Sequence, residues 1–434
     1  MSMFVTAGIA HYDARLAELE QIAGTGEERA RLLSDALAAG CSEVMVLSTC
    51  SRIELHAVLD VRRDLAGRRA SWAAADRLVG LLLGPHSTGS AGTGGVAIGD
   101  LAVHHLFRVA AGLDSRIVGE TEVQTQLRLA ARGARAQQGE PHRLRRVVGA
   151  ALSSARTSGL SHPELLRPGL LVERAVQQVL ASHADGESVH ALVLGAGTMG
   201  RQVVAALPRP LASATVLSRR ATVAVPGGPP VEPLADLPAR LPAADAVFVA
   251  TSAGRQILSS DLVAAVMCDR PGRPLTIVDL SLPRNVDPAV VDVPGVRLLN
   301  LDDLSDGVGG PELDCWTTTA VEASTRAAAV AYVAELRSRR AGPTIKELRT
   351  SMEETAYEQL RRTTRGLDLP DDVVRRMASA VAGAVAHQPT VVARRAAADD
   401  DAQTLSVLCA AFGLSSPITA TARVRPLRAV TPSG

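Results

Sequence analysis

Cys50 stands in Leu47-Ser48-Thr49-Cys50-Ser51-Arg52, a run of small polar residues with a guanidinium two positions after the thiol. A free thiol has a pKa of about 8.5, so only a few per cent is thiolate at neutral pH. A nearby arginine favours the anion, and the thiolate is the species that attacks carbonyl carbon. The pattern fits acyl transfer to sulfur. The plain alternative is a small core residue, which is what most single cysteines are.

The flanking residues must position that thiol. Val44-Met45-Val46-Leu47 forms an apolar run suited to a buried strand. After the polar crossing, Ile53, Leu55 and Ala57 alternate with Arg52, Glu54 and His56, which predicts a second strand. A first strand is expected over 3–10, helices over 13–23, 27–39 and 71–83, and a mobile low-complexity loop over 84–99. A mainly helical region follows to about Ala155. His104 and His105 point in different directions on a helix and make a poor metal pair, so no metal site is expected. Arg128, Arg132, Arg135, Arg143, Arg145, Arg146 and Arg156 face only Glu140 across 128–156. A solvated helix face is the ordinary reading of such a run; a phosphate-contacting patch is the alternative.

Val189–Leu194 followed by Gly195-Ala-Gly197-Thr198-Met199-Gly200 has the strand–turn–helix form of a dinucleotide fingerprint. The next strand ends at Ser218-Arg219-Arg220, where an NAD site would carry an acid. Serine and two arginines suit a 2′-phosphate, so NADPH is the expected cofactor. A further strand, 246–250, leads into Thr251-Ser252, and strands at 275–280 and 296–300 complete the alternation. The proline-rich piece 225–233 is expected to replace part of a crossover with a loop, and Asp302-Asp303 to cap the helix that follows. From Asp314 the chain is helical: Ala320, Ala323, Ala327, Val330 and Ala334 mark a close-packing stripe on a long helix. Helices at 344–366, 370–387 and 401–413 follow.

Composition narrows the classes. The 434 residues are 47% hydrophobic, with 46 basic against 45 acidic side chains. Nothing global calls for a DNA partner, and no apolar run is long enough for a membrane span. Five scattered cysteines without a C-x-x-C pair favour a reducing cytoplasm over a disulfide framework. Lys346 is the only lysine, which leaves little scope for lysine-based covalent chemistry.

In order along the chain, the motifs resemble the glutamyl-tRNA reductase family. They are LSTCSR at 47–52, HLFRVAAGLDS at 105–115, VGE at 118–120, Gln126, VLGAGTMG at 193–200, SRRA at 218–221, ATSAG at 250–254, DLSLPRNVDP at 279–288, NLDDL at 300–304 and AHQPT at 386–390. The resemblance implies a multidomain α/β protein. An α+β catalytic domain would span 1–157 and a Rossmann-type NADPH domain 158–312. A long helix with an all-helical dimerisation domain would span 313–420, before a disordered tail over 421–434. It implies that Cys50 takes the acyl group from a charged tRNA as a thioester, which hydride from NADPH reduces to glutamate-1-semialdehyde for 5-aminolevulinate and tetrapyrrole synthesis. His105 is implied as a second catalytic residue, and Thr49, Arg52, Ser115, Glu120 and Gln126 as the substrate pocket. A homodimer is implied, and glutamate-1-semialdehyde aminomutase as the enzyme receiving the aldehyde. Ser51 replaces the family's usual asparagine, and GETEVQTQ at 119–126 departs from its GEPQILGQ. Two alternatives stay open on these residues: a paralogue reducing another aminoacyl-tRNA, and an idle relative that binds tRNA or a partner enzyme.

Overall fold

The computed structural model describes residues 2–11, 19–20, 22, 26–49, 51–60, 65–83, 95–115, 118–138, 141–162, 169–183, 187–208, 212–219, 225–251, 253, 256–305, 315–367 and 369–414. Cys50, Arg220, Ser252 and the tail over 421–434 lie outside them. The chain forms two compact units, Met1–Arg326 and Ala327–Gly434.

The first unit opens with an antiparallel sheet of β1 (Ser2–Ala10), β2 (Cys41–Ser48), β3 (Arg52–Asp60) and β4 (Gly95–Ile98), in the order β2-β3-β1-β4. One face packs Val5, Ala7, Ile9, Val44, Ile53, Leu55 and Ala57 against helices α1 (Gly26–Ala38) and α2 (Leu65–Leu83). The other face is covered by α3 (Asp100–Ala110), with α4 (Glu122–Gln138) and α5 (His142–Ser161) beside it. Both faces of β3 are therefore buried, and Arg52, Glu54 and His56 are enclosed together. Residues 95–98, expected in the loop, instead pair with β1 from Val5↔Ile98 to Gly8↔Gly95. A four-residue edge strand carries little periodicity of its own; its partner defines it.

Helix α6 (Leu170–Leu180) leads into a six-stranded parallel sheet of β5 (Val189–Leu194), β6 (Ala212–Ser218), β7 (Val231–Pro233), β8 (Ala246–Val249), β9 (Leu275–Asp279) and β10 (Val296–Leu299). Helix α7 (Thr198–Ala206) follows β5, and α8 (Ser260–Cys268) follows β8. The strand order is β10-β9-β8-β5-β6-β7, which reverses direction between β5 and β8. Ala191 and Val193 enter one core while Leu192 and Leu194 enter the other, so β5 is apolar from Ala191 onward, as a strand covered on both faces must be. β7 corrects the expected loop over 225–233: three of its residues join the sheet edge beside β6. Asn300, rather than Asp302 or Asp303, caps α9 (Leu301–Ser305), since its Oδ1 accepts from Asp302 N at 2.7 Å. Asp303 answers by accepting from Asn300 N at 2.8 Å, the reciprocal arrangement of a capping box.

The long helix α10 spans Cys315–Arg340, about 39 Å at 1.5 Å per residue. Its buried row is Val321, Thr325, Ala329 and Val333, whereas Val330 of the expected stripe is 61% exposed. In so alanine-rich a helix several rows look alike, and the β-branched row takes the buried side. In the second unit α11 (Gly342–Thr363) packs on α12 (Asp371–Ala398), followed by α13 (Ala402–Ala411). α12 runs eleven residues past its expected end at His387, through Pro389. The buried row Ala378, Ala382, Ala386, Thr390, Ala393 and Ala397 continues across the proline, and that packing offsets the backbone hydrogen bond lost there.

Candidate active site

The cross-strand register sets the site. Thr6 lies opposite His56, Gly8 opposite Glu54, and Ala10 opposite Arg52. A Cβ on Gly8 would stand 2.5 Å from Glu54 Cγ, so glycine is what lets that carboxylate lie across β1. Arg52 is fully buried and donates from Nη1 to Glu54 Oε1 at 3.1 Å and to Asp114 Oδ2 at 3.0 Å. Its Nη2 donates to the Asp114 carbonyl. His105 reaches in from α3, its Nε2 2.8 Å from Glu54 Oε1 and its Nδ1 3.6 Å from Asp114 Oδ2. His56 Nε2 is 3.0 Å from Glu54 Oε2, an ion-pair distance without the alignment of a good hydrogen bond. A cavity of about 130 Å³ opens beside the network, lined by Thr6, Gly8, Glu54, Val96, Ala97 and His105 among others.

Electrostatics follow from this crowding. Burial alone would discharge His105, but the charge and hydrogen bond of Glu54 outweigh it and raise its pKa. Burial opposes the Glu54 charge too, yet His105 and Arg52 hold that carboxyl well below the usual range. For His56 burial wins, and its pKa falls. Asp114 is lowered against its burial, chiefly by Arg52.

The loop after α3 folds back on itself. Gly112 (φ +71°) accepts from Gly119 N at 3.1 Å, and a Cβ there would stand 2.8 Å from Glu120 O. This brings Ser115, 6% exposed, and Glu120, 8% exposed, into the same loop as Asp114. Thr49 N donates to Arg52 O at 2.9 Å, and its Oγ1 accepts from Ser51 N at 3.0 Å, closing the crossing from β2 to β3. Gln126, half-buried on α4, is not among the groups of the network. Glu122 accepts from Gln202 of α7, tying the catalytic-side helix to the one behind the glycine turn.

Burial, reinforced by Glu122, pushes the Glu120 carboxyl up to about 7. A folded-state value raised above the unfolded one gives stability that is whole below pH of about 4 and is lost as pH rises through 7. Over that window the loss is about 3 kcal/mol. Glu120→Gln is therefore expected to flatten the dependence of urea-unfolding free energy on pH between 4 and 8. An unchanged slope would mean that Glu120 is charged at neutral pH.

The glycine turn fits a dinucleotide. Gly195 has φ +113°, and a Cβ there would lie 2.3 Å from Ala250 O at the end of β8. A Cβ on Gly200 would lie 1.8 Å from Gly195 O, which packs helix α7 hard on the turn. A Cβ on Gly197 would meet nothing, and this N-cap makes no side-chain hydrogen bond, so the helix N-terminus stays open to an anion. Thr198 begins α7, and Met199 packs its side chain on the core. Ser218 ends β6, with Arg219 exposed beyond it. Across the crevice Thr251 donates to Asn285 Oδ1. Asp279 accepts from Ser281 N at 3.0 Å, Asn285 N at 2.8 Å and Val286 N at 3.0 Å, holding the 281–286 loop.

The sequence reading passed over Glu54, His56, Asp114, Asp279 and Asn285. The first two carried a signal: three ionisable side chains at period two on one strand. Among the described cysteines, Cys41 is buried and its thiol is pushed up to about 11, chiefly by that burial, so it is a core residue.

The fold and these sites define an oxidoreductase with a Rossmann-type NADP-binding domain joined to an α+β domain that encloses an acid–imidazole network. The sequence model described as "Glutamyl-tRNAGlu reductase, N-terminal domain" matches residues 7–158, "Shikimate / quinate 5-dehydrogenase" matches 176–306, and "Glutamyl-tRNAGlu reductase, dimerisation domain" matches 320–414. Glutamyl-tRNA reductase 1 of a Nocardioides species is 34% identical over 92% of this chain and 92% of its own. Glutamyl-tRNA reductase 2 of that organism is 36% identical over 76% of this chain and 74% of its own. The solved glutamyl-tRNA reductase of Methanopyrus kandleri aligns over 91% of this chain and 98% of its own, at 22% identity and a TM-score of 0.42. The chain belongs to the glutamyl-tRNA reductase family.

Proposed function

We propose that the protein reduces glutamyl-tRNA to glutamate-1-semialdehyde with NADPH, at the start of a route to 5-aminolevulinate and tetrapyrroles. The observation that carries this is the network of Arg52, Glu54, His56, His105 and Asp114. Enclosing five ionisable groups costs stability that an apolar core would not, and such clusters persist where chemistry needs them. That cost also weighs against an idle relative, since docking needs no buried imidazole.

In this reading Cys50 attacks the aminoacyl ester carbon. The carbon–sulfur bond forms, the bond to the tRNA ribose oxygen breaks, and the proton goes to the departing hydroxyl. His105, whose protonated form Glu54 favours, is placed to give that proton. Thr49, Arg52, Ser115, Glu120 and Gln126 shape the acyl pocket. Arg52 acts there from within its ion pairs, and Glu120, protonated near neutrality, can donate a hydrogen bond to a substrate oxygen. Gly195, Gly197, Thr198, Met199 and Gly200 would cradle the cofactor's pyrophosphate, Ser218, Arg219 and Arg220 its 2′-phosphate, and Thr251 and Ser252 the far side of the crevice. When bound, NADPH supplies the hydride that turns the thioester into the aldehyde and frees the thiol. The arginines of α4 and α5 offer the tRNA backbone a positive face.

Incubation with NADPH and each charged tRNA in turn, with trapping of any aldehyde, tests the substrate. The aldehyde is expected from glutamyl-tRNA. Aldehyde from another aminoacyl-tRNA alone would establish the paralogue instead. Cofactor choice has its own test. Each charge-assisted bond to the 2′-phosphate contributes roughly 1.5–3 kcal/mol, or about one to two decades in affinity. Replacing Arg219 and Arg220 with alanine is expected to narrow the gap between NADPH and NADH. Equal affinity of the wild type for both would refute the assignment of this turn.

The protein carries the family's dimerisation domain and acts as a homodimer. Exposed Met377, Val381, Val385 and Val392 follow one side of α12, away from its buried alanines, and supply apolar surface for that contact. Among the described residues no helix is long and apolar enough to cross a membrane. A cytoplasmic setting, with the aldehyde passed to an aminomutase, completes the reading.

A further inference from the structure

Glu54 serves two imidazoles at once. Oε1 meets His105 Nε2 at 2.8 Å, and Oε2 lies 3.0 Å from His56 Nε2. The rings lie 6.4 Å apart with an interplanar angle of 21°. His56 is further held by Thr6, whose Oγ1 is 3.0 Å from His56 Nδ1. A bare imidazole lone pair facing a carboxylate would be repelled, so the His56 proton belongs on Nε2, and Thr6 donates to Nδ1. This fixes one tautomer.

We propose that His56 is a positioning residue for the reduction: with its Nε2 facing Glu54 Oε2 at 3.0 Å it competes with His105 for that carboxylate and sets the pH at which His105 gives up its proton. The inference rests on the reading of His105 as a participant in the reaction. Two imidazolium ions cannot share one enclosed carboxylate at this separation without strong mutual repulsion. Burial disfavours the charged form of His56, while Glu54 favours that of His105. The other charges around His105 are Arg52 on β3, His104 and Arg108 on α3, and Asp114 in the following loop. Glu322 of α10 engages His104 and Arg108 from the far side. Glu54 touches both rings. His56 therefore acts on His105 through that carboxylate.

The test is titration of the His105 ring by NMR in full-length protein labelled at histidine Cε1, with the signal assigned by its loss in His105→Asn. It needs no turnover, so its outcome is separate from whether the substrate reading is right. His56→Phe keeps a ring but removes the donor, leaving Glu54 to His105 alone. The His105 midpoint is expected to rise by about half a unit or more. His56→Gln, whose amide nitrogen can stand where Nε2 stood, is expected to bring it back toward wild type. The rate–pH profile should move with the midpoint. A His56→Phe titration that overlays the wild type overturns the proposal. So does an equal displacement in the Gln and Phe variants, which would reveal a packing effect. Should the Phe variant not fold, Thr6→Val carries the test. It releases the tautomer lock, and a smaller upward movement is expected; a His105 midpoint that stays in place overturns the proposal.

Discussion

Cys50→Ser is expected to reduce aldehyde formation and glutamyl-tRNA-dependent NADPH oxidation to background while leaving the fold unchanged. A serine hydroxyl at neutral pH has almost no anionic form. The thiol, by contrast, sits two residues from Arg52, which two carboxylates and the strand register hold in place. The measurements are single-turnover chemistry with radiolabelled glutamyl-tRNA, acid-stable label on the protein, and circular dichroism for the fold. Wild-type turnover in the serine variant would exclude a thioester.

Glu54→Gln is the second large effect. The change preserves shape and removes one charge from a cluster in which Arg52 is fully buried and Glu54 is 3% exposed. Asp114 would remain as a partner for Arg52, but His105 would lose the carboxylate that favours its protonated form. Breaking one side of a buried ion pair costs about 3–5 kcal/mol, because the surviving charge stays desolvated. Urea unfolding should report a loss of that size. The rate should fall by about a hundredfold or more, as expected when a general acid is no longer protonated. A variant with wild-type stability would mean that solvent reaches Arg52 in solution. A stable variant with a normal rate would remove His105 from the chemistry.

The amino-acid sequence by itself determined the alternating αβ pattern around β5, the glycine turn and the long helical tail. Each follows from local physics: apolar runs of strand length, a turn that only glycine can make, and helical periodicity sustained over many residues. It also singled out Thr49, Cys50, Arg52, His105, Ser115 and Glu120 by motif order. Only the tertiary structure decided that Arg52, Glu54 and His56 face inward. Alternation says that two faces differ, and whether the polar face meets water depends on α3 coming to rest over it. The same holds for Asp114 and Asp279, whose carboxylates matter through backbone groups and side chains brought near by folding. The burial row on α10 and the continuation of α12 through Pro389 went against local expectation for one reason. Alanine-rich helices carry little contrast between faces, and a proline's local cost is small beside a continuous buried face. β4 depended on the free edge of β1, a partner some ninety residues earlier in the chain. Contacts of that separation are where a sequence stops being legible one segment at a time.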